Sequence, residues 1–166
     1  TRIEAFKVLE KMGARIEFKQ IHNDFESVGE ICVQSSHLRA VSVSENISWL
    51  IDEAPALAIA FACAEGVSRL TNAKELRVKE SDRISAVVQN LQKCGIVAKE
   101  LDDGFEIQGG VAKRAKIQSF GDHRIAMSFA ILGLKCGMDI DECECINTSF
   151  PNFLSLLENL GAVVER

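Results

Sequence analysis

A repeated sequence pattern is the feature that most constrains how this chain can fold. Three six-residue segments begin with leucine and carry glycine at their fifth position: LEKMGA at residues 9–14, LQKCGI at 91–96 and LENLGA at 157–162. Each is typical of the last turn of an amphipathic helix, followed by a glycine at the C′ position and a short apolar strand. The chain is therefore predicted to be assembled from similar supersecondary units.

A second series of segments predicts helices that are buried rather than amphipathic. Residues 52–66 and 122–137 each begin with an aspartate, continue through a stretch that is apolar on almost every side, and end at a glycine. The aspartates, Asp52 and Asp122, are predicted to be N-caps. Because a helix with apolar residues all round must be covered on several sides, we expect residues 54–64 and 125–134 to lie inside the domain.

Short strand-like runs lie between these landmarks, at residues 40–43, 67–70, 96–99, 105–108, 115–118, 138–140 and 162–164. Over residues 40–108 the order is strand, helix, strand, helix, strand, strand, and it starts again at residue 115. We therefore predict one α/β domain over residues 1–166, built of repeated βαβαββ units with buried helices. Residues 1–35 are assigned to the tail of one repeat, 40–108 to a second and 115–166 to a third.

Composition and charge exclude several classes of protein. The 47% apolar content and two prolines describe a compact globule, and the longest apolar stretch, residues 54–64, is too short to span a bilayer. No basic-then-apolar leader opens the chain, so we expect a cytoplasmic protein without a membrane partner. The net charge of −5 argues against a nucleic-acid partner but leaves room for a small anionic ligand held by clustered cations.

The six cysteines stand at irregular spacings, mostly within apolar patterns. This favours buried free thiols in a reducing compartment over a disulfide framework. Cys143 and Cys145 form the one suggestive pair, but no second Cys/His pair stands at zinc spacing, so neither a metal site nor a cofactor is predicted. The chain opens on what reads as mid-element sequence, which indicates a fragment.

Two charged motifs precede predicted helices: KESDR at residues 79–83 and GDHR at residues 121–124, in which Asp82 and Asp122 are predicted to be N-caps. In each, an arginine falls in the first helical turn, where the helix dipole disfavours a cation. Arg83 and Arg124 are explained if an anion is bound there by both the helix N–H groups and the guanidinium groups. The alternative is that each arginine is a surface residue paired with the neighbouring aspartate.

Three other charged residues are candidates for the same site. Lys79 stands four residues before Arg83, so both face one pocket if the intervening turn is helical. Glu80 lies between these two cations, and a carboxylate whose pKa is tuned by opposing influences suits general acid/base chemistry. Asp52 is either a second such group or an N-cap alone.

Four segments together resemble the EPSP synthases, the 3-phosphoshikimate 1-carboxyvinyltransferase family. They are LRVKESDRI at residues 76–84, GDHRIAM at 121–127, IDEAP at 51–55 and TSFPNF at 148–153, and they occur in family order over nearly the whole chain. The resemblance implies the enolpyruvyl transferase fold, with two similar domains of three βαβαββ units each and an active site in the cleft between them. This chain would be the C-terminal domain, and the N-terminal domain would be missing.

The implied reaction transfers the enolpyruvyl group of phosphoenolpyruvate to the 5-hydroxyl of shikimate 3-phosphate. By resemblance, Asp52 contacts the shikimate hydroxyls and shares the acid/base work with Glu80, and Lys79 binds the shikimate 3-phosphate. Arg83 and Arg124 bind the phosphoenolpyruvate. No cofactor is implied. We expect the full-length protein to be a monomer and the fragment alone to be inactive.

The sequence departs from the family pattern at two places. Many members carry a lysine just before the Phe-Pro of the last motif, where this chain has Asn147, Thr148 and Ser149, and Glu75 stands where some members have asparagine. Two alternatives stay open. One is a sister enolpyruvyl transferase acting on UDP-N-acetylglucosamine, and the other is a non-catalytic repeat or interaction domain of the same fold.

Overall fold

The structure is a computed structural model that describes residues 3–23 and 27–165, with the backbone alone at residues 20–23 and 27. Its α-helices are α1 (Glu4–Lys11), α2 (Ala54–Ala62), α3 (Arg83–Lys93), α4 (His123–Cys136) and α5 (Phe153–Asn159). Its strands are β1 (Arg15–Asn23), β2 (Ser27–Gln34), β3 (Ser42–Val43), β4 (Val67–Leu70), β5 (Val97–Leu101), β6 (Gly104–Gln108), β7 (Lys116–Gln118) and β8 (Asp139–Asp141). Short 3₁₀ helices span Ile47–Trp49, Lys74–Val78 and Cys143–Thr148.

The middle of the chain has the predicted element order β3, α2, β4, α3, β5, β6. These strands form one sheet in the order β3-β4-β6-β5, in which β3 and β4 are parallel and β6 is antiparallel to both β4 and β5. Helices α2 and α3 pack against this sheet, and Phe105 and Ile107 of β6 are fully buried beneath them. The α/β fold with βαβαββ units is confirmed.

The flanking segments have parts of the same arrangement. Helix α1 precedes an antiparallel hairpin of β1 and β2, as α3 precedes β5 and β6. Strands β7 and β8 are parallel and are joined by α4, as β3 and β4 are joined by α2. The strand predicted at residues 162–164 is wrong. Those residues are irregular, because no strand among the described residues lies beside them to take up their hydrogen bonds.

Each connection from a parallel strand to the following helix contains a non-glycine residue in the left-handed conformation. These residues are Asn46 (φ 54°), Asn72 (φ 62°), Phe120 (φ 56°) and Glu142 (φ 54°), after β3, β4, β7 and β8 respectively. Asparagine tolerates this conformation well and phenylalanine does not. The conformation recurs at residues that tolerate it and at residues that do not, so it belongs to the repeating unit rather than to a residue type. It directs the chain towards the start of the next helix.

Burial differs between the two helices that the sequence predicts to be covered on several sides. Leu57, Ala58 and Phe61 of α2 are at most 2% exposed, which confirms the prediction for that helix. In α4, however, Ile131 is 43% and Leu134 55% exposed. The prediction is wrong for this face of α4, because the described elements that pack against it, chiefly α2 and the 3₁₀ helix Cys143–Thr148, cover its other side. Among the described residues, we find no helix long and apolar enough to cross a membrane.

The cysteines are free thiols in the described residues, but only Cys94 is fully buried. Burial raises the pKa of Cys94 to about 11, so this thiol stays protonated. Cys32 is exposed and the others are partly buried, so the prediction of buried thiols is wrong for Cys32. The apolar pattern around Cys32 belongs to the β1–β2 hairpin, where Ile31 and Val33 are exposed as well.

Candidate active site

Arg83 is the centre of a buried ionic network. It is the first residue of α3, which begins there because the Asp82 side chain accepts a hydrogen bond from the Ser85 N–H at 3.1 Å. The Arg83 side chain is only 1% exposed. Its guanidinium lies 2.8 Å from Asp122 Oδ2, 2.6 Å from Glu80 Oε2 and 3.4 Å from Asp52 Oδ1. One cation thus faces three carboxylates drawn from three separate sequence motifs.

Asp122 is the most deeply buried of these carboxylates, with no exposed side-chain surface. It is the N-cap of α4, and its Oδ1 accepts a hydrogen bond from the Arg124 N–H at 2.9 Å. Its Oδ2 accepts from the Ser81 hydroxyl at 3.0 Å as well as from Arg83. Burial alone raises the pKa of Asp122, but the hydrogen bonds and charge of Arg83 outweigh burial and hold this pKa below its usual range.

The capping predictions for Asp82 and Asp122 are confirmed, whereas the prediction for Asp52 is wrong. The residue at the N-cap position of α2 is Glu53, which makes no side-chain capping bond in the described structure. Because Pro55 in the first turn has no N–H group, fewer donors there need a capping acceptor. The Asp52 carboxylate is directed to the two arginines instead, with Oδ2 3.6 Å from Arg124 Nη2.

Arg124 lies in the first turn of α4, as predicted, and its side chain is 30% exposed. Its Nη1 donates to the backbone carbonyl of Asp52 at 2.7 Å. This bond joins the start of α4 to the start of α2, just as the Arg83–Asp122 pair joins α3 to α4. The alternative in which each arginine pairs with its neighbouring aspartate on the surface is wrong for Arg83, which is buried and pairs with Asp122 and Asp52 from distant segments as well as with Glu80.

Glu80 and Lys79 lie at the outer side of the network. The Glu80 side chain is half exposed and pairs with Arg83. Lys79 pairs with Glu75 at 2.6 Å and is 26% exposed. The turn between Lys79 and Arg83 is not helical, because Lys79 has an extended backbone (ψ −158°) and the residues up to Asp82 are irregular. Lys79 and Arg83 are therefore not aligned on one helical face. The structure therefore brings Asp52, Glu80, Arg83 and Arg124 together and places Lys79 beside them.

Two residues of the site were not predicted. Ser81 donates its hydroxyl proton to Asp122, and Arg77 is bonded to four acceptors around the KESDR segment. The sequence signal for both was their position inside the LRVKESDRI segment at residues 76–84. His123, the first residue of α4, is partly buried at the same turn.

The arrangement suits the binding of an anion next to proton-exchanging carboxylates. Arg124 and Lys79 present partly accessible cations, and Glu80 and Asp52 present partly accessible carboxylates within the same cluster. Within the part of the chain that the structure describes, no group of three or more His, Cys, Asp and Glu side chains has a geometry that could hold a metal ion.

The fold and the site together define an enolpyruvyl transferase domain. An EPSP synthase structure from Acinetobacter baumannii superposes with a TM-score of 0.88 at 36% identity, covering 96% of this chain and 39% of that one. An enolpyruvyl transferase from Streptomyces tendae shares the fold, with a TM-score of 0.68 at 17% identity over 96% of this chain and 35% of its own.

The family follows from sequence comparison. The family model of EPSP synthase (3-phosphoshikimate 1-carboxyvinyltransferase) matches residues 1–157, and the chain belongs to this family. A 3-phosphoshikimate 1-carboxyvinyltransferase of Campylobacter jejuni subsp. doylei is 65% identical over 99% of this chain, and that of Campylobacter fetus subsp. fetus is 66% identical over the same share. The chain spans 39% of the length of each of these relatives.

Proposed function

We propose that the whole protein transfers the enolpyruvyl group of phosphoenolpyruvate to the 5-hydroxyl of shikimate 3-phosphate, giving 5-enolpyruvylshikimate 3-phosphate and phosphate. The observation that carries this proposal is the network around Arg83, which joins Asp52, Glu80 and Asp122 from three family motifs. The family membership of the chain supports the same reaction.

The chemistry requires two proton transfers and the stabilisation of negative charge. A proton adds to C3 of phosphoenolpyruvate while the attacking hydroxyl loses one and bonds to C2; the tetrahedral intermediate then releases phosphate as the new methyl group gives up a proton. Asp52 acts on the hydroxyl and Glu80 on the C3 carbon. Their partial exposure supports these roles, because both carboxylates are open to a ligand beside Arg83.

The cations bind the two anionic substrates. Arg124 and Arg83 bind the phosphoenolpyruvate, and Lys79 binds the shikimate 3-phosphate. Arg124 and Lys79 are partly exposed, which supports direct contact with a ligand. Arg83 is enclosed by carboxylates, so it reaches an anion only on the side of Glu80, the most exposed of the three.

The chain supplies one wall of the active site. Residues 1–166 form the C-terminal domain, with residues 1–35, 40–108 and 115–166 belonging to three successive repeats, and the N-terminal domain supplies the opposite wall. The share of the relatives that the chain spans supports this division. We propose that the whole protein is a cytoplasmic monomer that needs no cofactor.

Release of inorganic phosphate by the purified whole protein tests the proposal. We expect turnover with phosphoenolpyruvate and shikimate 3-phosphate, and none when UDP-N-acetylglucosamine replaces the shikimate 3-phosphate. Turnover with the sugar nucleotide alone overturns the choice of acceptor.

Two further measurements test the site. Glu80→Gln is expected to lower kcat by about 10²- to 10⁴-fold, the range for general acid/base groups, whereas Glu106→Gln, which breaks an exposed pair with Arg69 on the sheet, leaves kcat unchanged. Equal activity of the two variants would favour a non-catalytic domain. Residues 1–166 alone are expected to show no turnover, since half of the cleft is absent.

A further inference from the structure

Arg77 makes an unusually complete set of contacts for a residue outside the ionic network. It lies in the 3₁₀ helix Lys74–Val78, two residues before Lys79. Its guanidinium donates to four different groups: Nη1 to Asp82 Oδ2 and to Glu100 Oε1, both at 2.8 Å, Nε to the Asp102 carbonyl at 2.8 Å, and Nη2 to the Leu101 carbonyl at 2.6 Å.

These bonds close the segment that carries two of the site residues. Arg77 and Asp82 are five positions apart, and the bond between them joins the two ends of the irregular stretch containing Lys79 and Glu80. Asp82 is at the same time the N-cap of α3. The contact therefore fixes the segment against the start of the helix from which Arg83 extends.

The remaining bonds of Arg77 anchor the segment to the β5–β6 hairpin. Leu101 and Asp102 form the end of β5 and its turn, and Glu100 is held in turn by the Ser85 hydroxyl at 2.8 Å. A hairpin paired along five residues is a rigid support. The segment itself has little apolar packing, since Val78 is 80% exposed. Its geometry is thus set mainly by polar contacts.

Only arginine has the donors for this arrangement. The planar guanidinium carries five N–H groups in a fixed geometry, whereas a lysine ammonium is a single point donor on a flexible stem. Replacement by lysine keeps the charge and loses most of the four directed bonds.

We infer that Arg77 is a positioning residue for the reaction proposed above, which holds Lys79 and Glu80 at the substrate by closing residues 77–82 onto the β5–β6 hairpin. It does not touch the reacting atoms. This inference rests on the proposed function, so its test begins with the turnover of the unsubstituted whole protein.

The test compares Arg77→Lys with Arg69→Lys in the whole protein. Arg69 also bonds a carboxylate across strands, to Glu106, but it lies on the sheet away from the segment. We expect Arg77→Lys to lower kcat by about 10- to 100-fold, the cost of misplacing a reacting group by about 1 Å, and to raise the KM for shikimate 3-phosphate. Arg69→Lys keeps both parameters. Should Arg77→Lys be poorly folded, Glu100→Gln gives a milder version of the same change.

Two readouts separate positioning from stability alone. In Arg77→Ala, millimolar guanidinium is expected to restore part of kcat, while ammonium at the same concentration does not. Hydrogen exchange of residues 78–82, followed by mass spectrometry, is expected to quicken in Arg77→Lys and not in Arg69→Lys. If the unsubstituted protein turns over and Arg77→Lys retains its kcat and KM, the positioning role is refuted. If the unsubstituted protein does not turn over, the proposed function fails, and unchanged exchange at residues 78–82 then refutes the role of Arg77 as well.

Discussion

The Nε atom of Arg83 lies 2.8 Å from Oδ2 of Asp122, at a place where the two side chains are 1% and 0% exposed. This pair joins the first residue of α3 to the N-cap of α4. Because a buried ion pair loses much of its hydration, its value lies in the cost of breaking it rather than in the strength of the intact pair. Asp122 also caps α4 and accepts a hydrogen bond from Ser81. One carboxylate therefore joins the start of α4, the start of α3 and the segment that precedes α3.

Asp122→Asn is expected to destabilise the protein strongly. The substitution keeps the side-chain shape but leaves the buried Arg83 cation without its most deeply buried counter-charge, a loss that typically costs about 3–5 kcal/mol. Urea denaturation of the whole protein measures the change. Asp139→Asn is the matched control, since it breaks a pair with Arg114 in which both side chains are more than half exposed. We expect no measurable loss there, and equal losses for the two variants would contradict the importance of the buried pair.

The same carboxylate predicts how stability depends on pH. The folded-state pKa of Asp122 lies below its unfolded value, so its contribution is complete above the unfolded pKa of about 4 and is lost as the pH falls towards the folded pKa. We expect the free energy of unfolding to decrease below about pH 4, and less steeply in Asp122→Asn. Denaturation midpoints measured between neutral pH and pH 2 check this. A variant curve parallel to that of the unsubstituted protein would show that other carboxylates dominate.

The middle unit shows what the sequence predicts about the fold. Strand β4 has the predicted bounds, and the order of elements follows from the repeated glycine pattern and the spacing of apolar residues. These are local signals. The exposure of α4 and the irregular residues 162–164 depend on which elements lie next to them, and no local pattern carries that information.

The predictions for the candidate site show the same difference between local and long-range contacts. Capping of α3 and α4 was predicted because a capping side chain and the N–H groups that donate to it are neighbours in sequence. The role of Asp52 was mistaken for a cap because its arginine partners are 31 and 72 residues away. The resemblance to the family predicts a single site for these residues, but it contains no information on which cation faces which carboxylate.

Asn72 tests the left-handed turn that recurs after the parallel strands. Its φ of 62° suits asparagine or glycine, and its side-chain amide donates to the Ser44 carbonyl at 3.0 Å. Asn72→Ala is expected to be less stable than Asn72→Gly by about 1 kcal/mol, the cost of a Cβ atom in this conformation. Both variants lose the hydrogen bond from the Asn72 side-chain amide to the Ser44 carbonyl. The difference between their free energies of unfolding, measured by thermal or urea denaturation, therefore isolates the cost of the backbone conformation. A glycine variant no more stable than the alanine variant would contradict the role assigned to the turn.

Arg124→Lys tests the cation that is most open to a ligand. The lysine keeps the charge but loses the bidentate geometry of a guanidinium, and it no longer supports both the Asp52 carbonyl and an anion. We expect the KM for phosphoenolpyruvate to rise by about 10- to 100-fold, with a fall in kcat of similar size, because charge stabilisation in the transition state is lost. The KM for shikimate 3-phosphate is expected to change little, since the proposed function assigns that substrate to Lys79. Steady-state kinetics with each substrate varied in turn measure the two constants, and Arg114→Lys, at an exposed pair away from the network, is the control. An equal rise in both KM values would mean that Arg124 acts by holding the start of α2 in place through Asp52 rather than by binding the phosphoenolpyruvate.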